Sequence, residues 1–221
     1  MKRLTLSLVL MIAIIGSSCS QGTATKSTVN PRVTGNVGGS CEGCEAIYES
    51  PVLFDKLENM VWLPDWKEKG KKLAVNGIVY KADGKTPAPG VIIYLYHTDQ
   101  TGIYPKKGDE TGWAKRHGYL RGWMRTNEKG EYKFFTLLPA SYPDSKAPKH
   151  IHVTIKEPGM NEYWIDEYLF DDDPFLTAEE RSHSKGRGGN GIIKTKEVEK
   201  DFLKAQRDIY LGKNIPNYPK H

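Results

Sequence analysis

An all-β sandwich with one or two short helices and long loops is the fold this sequence predicts, on three observations. Short runs rich in β-branched and aromatic residues recur from residue 72 onward, as in Val91–His97 and Glu131–Leu137. Turn signals separate them: Asp83-Gly84-Lys85, Pro89-Gly90 and Asn127-Glu128-Lys129-Gly130. Finally, Lys149-His150-Ile151-His152-Val153 alternates with period two, which on a strand sends both imidazoles to one face and both aliphatics to the other. No internal repeat and no nucleotide-binding glycine pattern competes with this reading.

A chain of 221 residues is one domain, or one domain plus a tether. It buries roughly 70 % of its unfolded surface and needs no staples. The net charge of +5 is spread over scattered lysines, which argues against nucleic-acid binding. Residues 1–18 read as a signal peptide: Met1-Lys2-Arg3, an apolar run over Leu4–Ile15, then Gly16-Ser17-Ser18. The run is too short to span a bilayer. Cys19 directly after the small residues resembles a lipobox cysteine, so we expect lipidation there and an extracytoplasmic, membrane-anchored lipoprotein of a bacterium. Residues 19–45 read as a flexible tether carrying Cys41-Glu42-Gly43-Cys44. No βαβ pattern surrounds that pair and no second pair exists for zinc, so a local disulfide in an oxidising compartment is expected.

Residues 46–71 read as a wrapping segment with a short helix around Phe54–Met60, and residues 72–221 as the sandwich domain. Its strands are Leu73–Tyr80, Val91–His97, Leu120–Thr126, Glu131–Leu137 and His150–Lys156, followed by late strands over Ile192–Thr195 and Phe202–Leu211. Pro139-Ala140-Ser141-Tyr142-Pro143 is a tight corner, and Thr177-Ala178-Glu179-Glu180 is a capping box for one helix. Arg187–Gly191 reads as a flexible loop, and Asp171-Asp172-Asp173 as a solvated turn.

Two imidazoles on one strand face are half of a metal site, and since imidazole suits Zn, Cu, Fe or Ni they do not name the metal. The neighbouring loops offer tyrosines, Tyr104 and Tyr142. A phenol is neutral at pH 7, with a pKa of about 10, but a bound cation ionises it. Phenolate is a hard anion and favours Fe(III). A mixed phenolate and imidazole set disfavours reduction of that ion, so Lewis-acid activation of a phenolic substrate is the better expectation.

Five pieces in order and spacing resemble the intradiol ring-cleavage dioxygenases: Tyr96–Tyr104, Leu120-Arg121-Gly122, Arg125–Phe134, Pro139–Pro143 and His150-Ile151-His152. The resemblance covers roughly residues 72–175. It implies a non-haem Fe(3+) cofactor held by Tyr104, Tyr142, His150 and His152. It also implies a catechol-like aromatic diol and O2 as partners, and a muconate-type diacid as product. Tyr142 then leaves the metal to take a substrate proton while the other three ligands stay. Two positions depart from the family. Ala147 stands where an Arg is common, and Glu167 aligns with an assisting Gln. Arg121, Lys146 and Lys149 are the candidate replacements for the missing cation, with Arg121, Glu167 and Tyr142 the catalytic candidates. Trp113, Tyr119 and Lys149 are the candidate substrate contacts, and His97 and His117 candidates for the pocket mouth; His183 reads as a solvated loop residue. The competing reading is a non-catalytic transthyretin-like sandwich module that binds carbohydrate or protein. It gives no reason for two tyrosines and the paired histidines to occur together. No oligomeric state follows from the sequence.

Overall fold

A computed structural model describes residues 36–220. The signal peptide, Cys19 and most of the tether lie outside the described residues. Among the described residues, twelve strands form two mixed sheets. In chain order they are β1 (Met60–Trp62), β2 (Lys72–Tyr80), β3 (Ile92–His97), β4 (Arg121–Arg125), β5 (Glu131–Leu137) and β6 (His150–Lys156). Then come β7 (Glu162–Trp164), β8 (Tyr168–Phe170), β9 (Ile192–Ile193), β10 (Lys196–Glu199), β11 (Phe202–Gln206) and β12 (Ile209–Tyr210). One sheet runs β1-β5-β2-β11-β10, with β12 also on β2; the other runs β4-β3-β6-β8-β9, with β7 also on β6. Two short helices, α1 (Ala114–His117) and α2 (Ala178–Ser182), sit in the loops.

The core fills the space between the sheets, as the alternation requires. Leu73, Val75 and Phe134 from one sheet meet Ile93, Leu95, Ile151, Val153 and Ile155 from the other, all at most 3 % exposed. Truncating Phe134 to Ala here costs about 3–5 kcal/mol. Strand β3 is buried on both faces, which explains its unbroken apolar run. Its outer face, Ile92 and Tyr94, packs with Trp123 under Ala46 and Ile47. The indole Trp123 Nε1 donates to the Ile47 carbonyl at 2.9 Å and fastens this cover.

Several expectations are corrected. Only a single 3-10 turn forms at Phe54–Lys56, and Met60–Trp62 is a strand, because its backbone pairs in parallel with β5. The late strand expected over Phe202–Leu211 breaks at Arg207-Asp208, where Asp208 Oδ1 instead accepts from the Ile78 amide at 3.0 Å. Gly77 makes that crossing possible, since a Cβ there would lie 1.8 Å from the Arg207 carbonyl oxygen. Arg187–Gly191 is packed rather than loose. Arg187, Gly188 and Gly189 are buried, and the loop donates and accepts strand-like bonds to Lys213 and Leu169. Residues 36–45 belong with the sandwich, not the tether: Val37 is 5 % exposed and Gly38 donates to the Pro216 carbonyl at 2.7 Å. The capping box forms as read, with Thr177 Oγ1 accepting from the Glu180 amide at 3.2 Å.

Candidate metal centre

Strand β6 lies between β3 and β8, so its register is fixed on both edges. Ile151, Val153 and Ile155 enter the core, and His150 and His152 stand on the outer face. Each imidazole is oriented from behind. His150 Nδ1 donates to the Pro148 carbonyl at 2.7 Å, and His152 Nδ1 donates to Glu167 Oε1 at 2.7 Å. A carbonyl or ionised carboxylate only accepts, so both protons sit on Nδ1 and both Nε2 lone pairs are bare. Burial works to raise the Glu167 carboxyl, but the His152 hydrogen bond and the fields of His152 and His150 outweigh it and hold the group at about 2.

Tyr104 and Tyr142 come from two loops that touch. Gly102 adopts φ +81, and a Cβ there would fall 2.0 Å from the Ser141 carbonyl oxygen. Only glycine lets the loop before Tyr104 close on the corner that carries Tyr142. The result is a ring of four donor atoms. Tyr104 Oη lies 2.6 Å from Tyr142 Oη and 2.8 Å from His152 Nε2. Tyr142 Oη lies 3.0 Å from His150 Nε2, and the two Nε2 atoms are 3.1 Å apart.

Proton counting shows what the ring suits. Four contacts share two phenolic protons, so two contacts have none, including the facing pair of Nε2 lone pairs. A cation resolves this. Two ligands at right angles, each about 2 Å from one ion, are about 2.8 Å apart, which the four distances bracket. Burial raises the Tyr104 and Tyr142 hydroxyls above the ordinary phenol value, so they stay protonated until a cation displaces the proton. Burial likewise lowers His150, keeping it neutral and able to ligate. Glu167 also lies within 4.8 Å of both histidines. Its Oε1 is engaged on the far side of the His152 ring, so it stands behind a ligand and supports it.

The four donors floor a cavity of ≈ 960 Å³. Trp113, His117, Ala147 and Glu167 line it, as the sequence suggests for a substrate wall, a pocket mouth, an arginine gap and an assisting residue. Other candidates are placed elsewhere. Arg121 Nη1 is tied to Glu49 Oε2 at 2.5 Å and stands at a second cavity. Tyr119 lines that second cavity too, under Lys107. Lys149 turns away from the donor face, as its odd register demands, and pairs with Asp172 and Asp173. His97 faces the core, where Nε2 meets Thr136 Oγ1 at 2.7 Å. The charge missing at Ala147 is therefore not replaced by Arg121 or Lys149. Among the described residues, the arginine on the cavity wall is Arg116, ion-paired with Glu42.

Sequence reasoning missed Tyr96. Its ring stacks on His152 at 4.4 Å and on His117 at 3.7 Å, so it clamps the ligand from the side. The pairing Tyr96↔His152 carries that contact, and a strand register is not readable from one strand alone. Cys41 and Cys44 are joined by a disulfide, and Cys41, Glu42 and Gly43 of that loop form part of the cavity wall.

Comparison with known proteins agrees with this arrangement. The Dioxygenase family model matches residues 55–203. Catechol 1,2-dioxygenase of Acinetobacter baylyi is 28% identical over 132 residues, which is 50% of this chain and 42% of that protein. Catechol 1,2-dioxygenase 1 of Acinetobacter lwoffii is 36% identical over 75 residues, 34% of this chain and 23% of that protein. The chain thus spans less than half the length of the curated relatives it matches. Among solved structures, 3-chlorocatechol 1,2-dioxygenase from Rhodococcus opacus 1CP superposes with a TM-score of 0.55 at 17% identity, covering 81% of this chain and 74% of that one. The dioxygenase domain of a dioxygenase carbohydrate-binding protein fusion from Streptomyces sp. SirexAA-E gives 0.54 at 23% identity, covering 68% and 85%. These two likenesses show a shared fold. With two thirds of its length inside the family match, the chain belongs to the intradiol ring-cleavage dioxygenases.

Proposed function

We propose that the chain holds one ferric ion through Tyr104, Tyr142, His150 and His152 and uses O2 to cleave a catechol-like ring between its two hydroxylated carbons, giving a muconate-type diacid. The observation that carries this reading is the convergence of four side chains from three segments within 3.1 Å of their neighbours. The chemistry supplied at such a centre is Lewis acidity, which acidifies a bound diphenol and draws electron density from its ring. Tyr142, on the Pro139–Pro143 corner, would be the residue to take a substrate hydroxyl proton at Oη. Tyr104, His150 and His152 would hold the ion, with the Pro148 carbonyl and the Glu167 carboxylate accepting both Nδ1 protons and keeping the two Nε2 atoms turned inward. Tyr96, His117 and Trp113 form a stacked aromatic wall that favours a planar ring and excludes water.

Metal analysis with a visible spectrum tests the reading. Iron-loaded protein should carry one iron per chain and a reddish phenolate charge-transfer band, and Tyr104→Phe should bleach or shift it. Oxygen uptake with a small catechol panel tests the reaction. A colourless protein after iron loading refutes the ligand set; a coloured one with no uptake refutes the reaction. The reading extends to location: an acylated Cys19 anchoring the chain outside the cytoplasm. The Cys41–Cys44 disulfide supports an oxidising compartment.

A further inference from the structure

The cavity is far larger than a single diphenol ring. Cavities of about 300–1,000 Å³ hold drug-sized ligands, and this one, at ≈ 960 Å³, sits at the top of that range. The excess has a direction. On the outer face of the second sheet, His150 pairs with Leu169 on β8, and Leu169 pairs with Ile192 on β9. Paired residues share a face. Neighbouring strands are about 4.8 Å apart, so Leu169 and Ile192 form an apolar ledge reaching about 10 Å past the His150 ligand. Both are half-buried and both line the cavity, whereas their neighbours Tyr168, Phe170 and Ile193 turn into the core.

A tryptophan stands further along the same cavity wall. Trp164 pairs with Thr154 and so stands on the same face as the two histidines. Its ring is held by the Arg187 guanidinium, 3.4 Å from the ring centre, and the cavity-lining Lys185 Nζ lies 5.5 Å from the same centre. Arg187 is 4 % exposed and also donates to the Gly38 carbonyl at 3.1 Å. A tryptophan fixed from behind by a buried cation presents a rigid surface at low entropic cost. Tyr96, Trp113 and His117 lie on the opposite flank and serve the reacting ring. The side chains of Leu169, Ile192 and Trp164 make no hydrogen bond to the four donors.

We infer that the substrate is a catechol carrying a bulky apolar substituent, of the size of a second aromatic ring, which lies on the Leu169–Ile192 ledge. The inference rests on the ring-cleavage reading above and adds the class of diphenol it takes. A substituent of this kind removes the ledge from water on binding, which a bare catechol leaves exposed.

Two measurements on the iron-loaded full chain test it. The first is anaerobic titration with catechol and with 4-phenylcatechol, read by tryptophan quenching and the visible band. 4-Phenylcatechol should bind at least tenfold more tightly, and Ile192→Asp should reduce that ratio about tenfold. The second is oxygen uptake with the same pair, where the kcat/KM ratio should favour the two-ring compound by a similar factor. Equal dissociation constants, or a preference for bare catechol, overturn the ledge assignment and leave ring cleavage standing. Absence of uptake with every catechol, alongside preserved tight binding of the two-ring compound, removes the reaction and keeps the ledge. An Ile192→Asp ratio equal to that of the parent also overturns the assignment, with circular dichroism confirming that the variant is folded.

Discussion

Removing the carboxylate behind His152 should weaken iron binding by a factor that the hydrogen-bond geometry sets. Glu167 Oε1 accepts from His152 Nδ1 at 2.7 Å, a charge-assisted contact. Without it the imidazole is free to move its proton to Nε2, where it points at the donor ring and blocks the lone pair. Loss of such a supporting partner typically costs 10–100-fold in metal affinity, about 1.4–2.7 kcal/mol. Glu167→Ala should fall in that range. Glu167→Gln keeps an acceptor oxygen but not the charge. Charge-assisted hydrogen bonds are roughly twice as strong as neutral ones, so the glutamine variant should lose about half of that free energy, or roughly 3–10-fold. Chelator competition followed through the visible band measures both. Iron affinity unchanged within twofold in Glu167→Ala, or a glutamine variant weaker than the alanine one, refutes the supporting role.

Ala147 lies on the cavity wall with no cation of its own, so Ala147→Arg should supply a fixed positive charge and raise kcat/KM for a catechol by about tenfold, read by oxygen uptake; a fall would count against anionic character developing there. Thr136 Oγ1 bridges buried His97 at 2.7 Å and Asp65 at 2.9 Å, so Thr136→Val should take one hydrogen bond from each and cost about 1–3 kcal/mol in denaturant unfolding, without changing the iron spectrum. Cys19→Ser should abolish incorporation of radiolabelled palmitate and release the chain from membranes; retained label would disprove the anchor.

The parts of the fold that were legible in the sequence are those written in local chemistry. Alternation along His150–Lys156 announces a core face and a donor face, and both exist. Asn127–Gly130 closes a turn through the Asn127 side chain, which accepts from the Lys129 and Glu131 amides. The illegible parts depend on distant partners. Strand β1 exists because Met60 pairs in parallel with Lys133, with no connecting turn to advertise it. Strands β7 and β8 are three residues each and take their shape from β6. Arg121 stands in register with Tyr96 and His152, which makes it plausible near the donors. Its capture by Glu49, from a segment without periodicity, was beyond reach. Lys149 obeys the same alternation, which sets His150 outward and turns its neighbour toward Asp172 and Asp173.

Strand β6 divides labour between its two faces, and this separates folding from metal capture. The aliphatic face closes the sandwich regardless of what sits on the other side, and Pro148 and Glu167 aim the imidazoles before any ion arrives. On the proposed metal reading, the sandwich and the aim of its imidazoles therefore owe nothing to the ion they would receive.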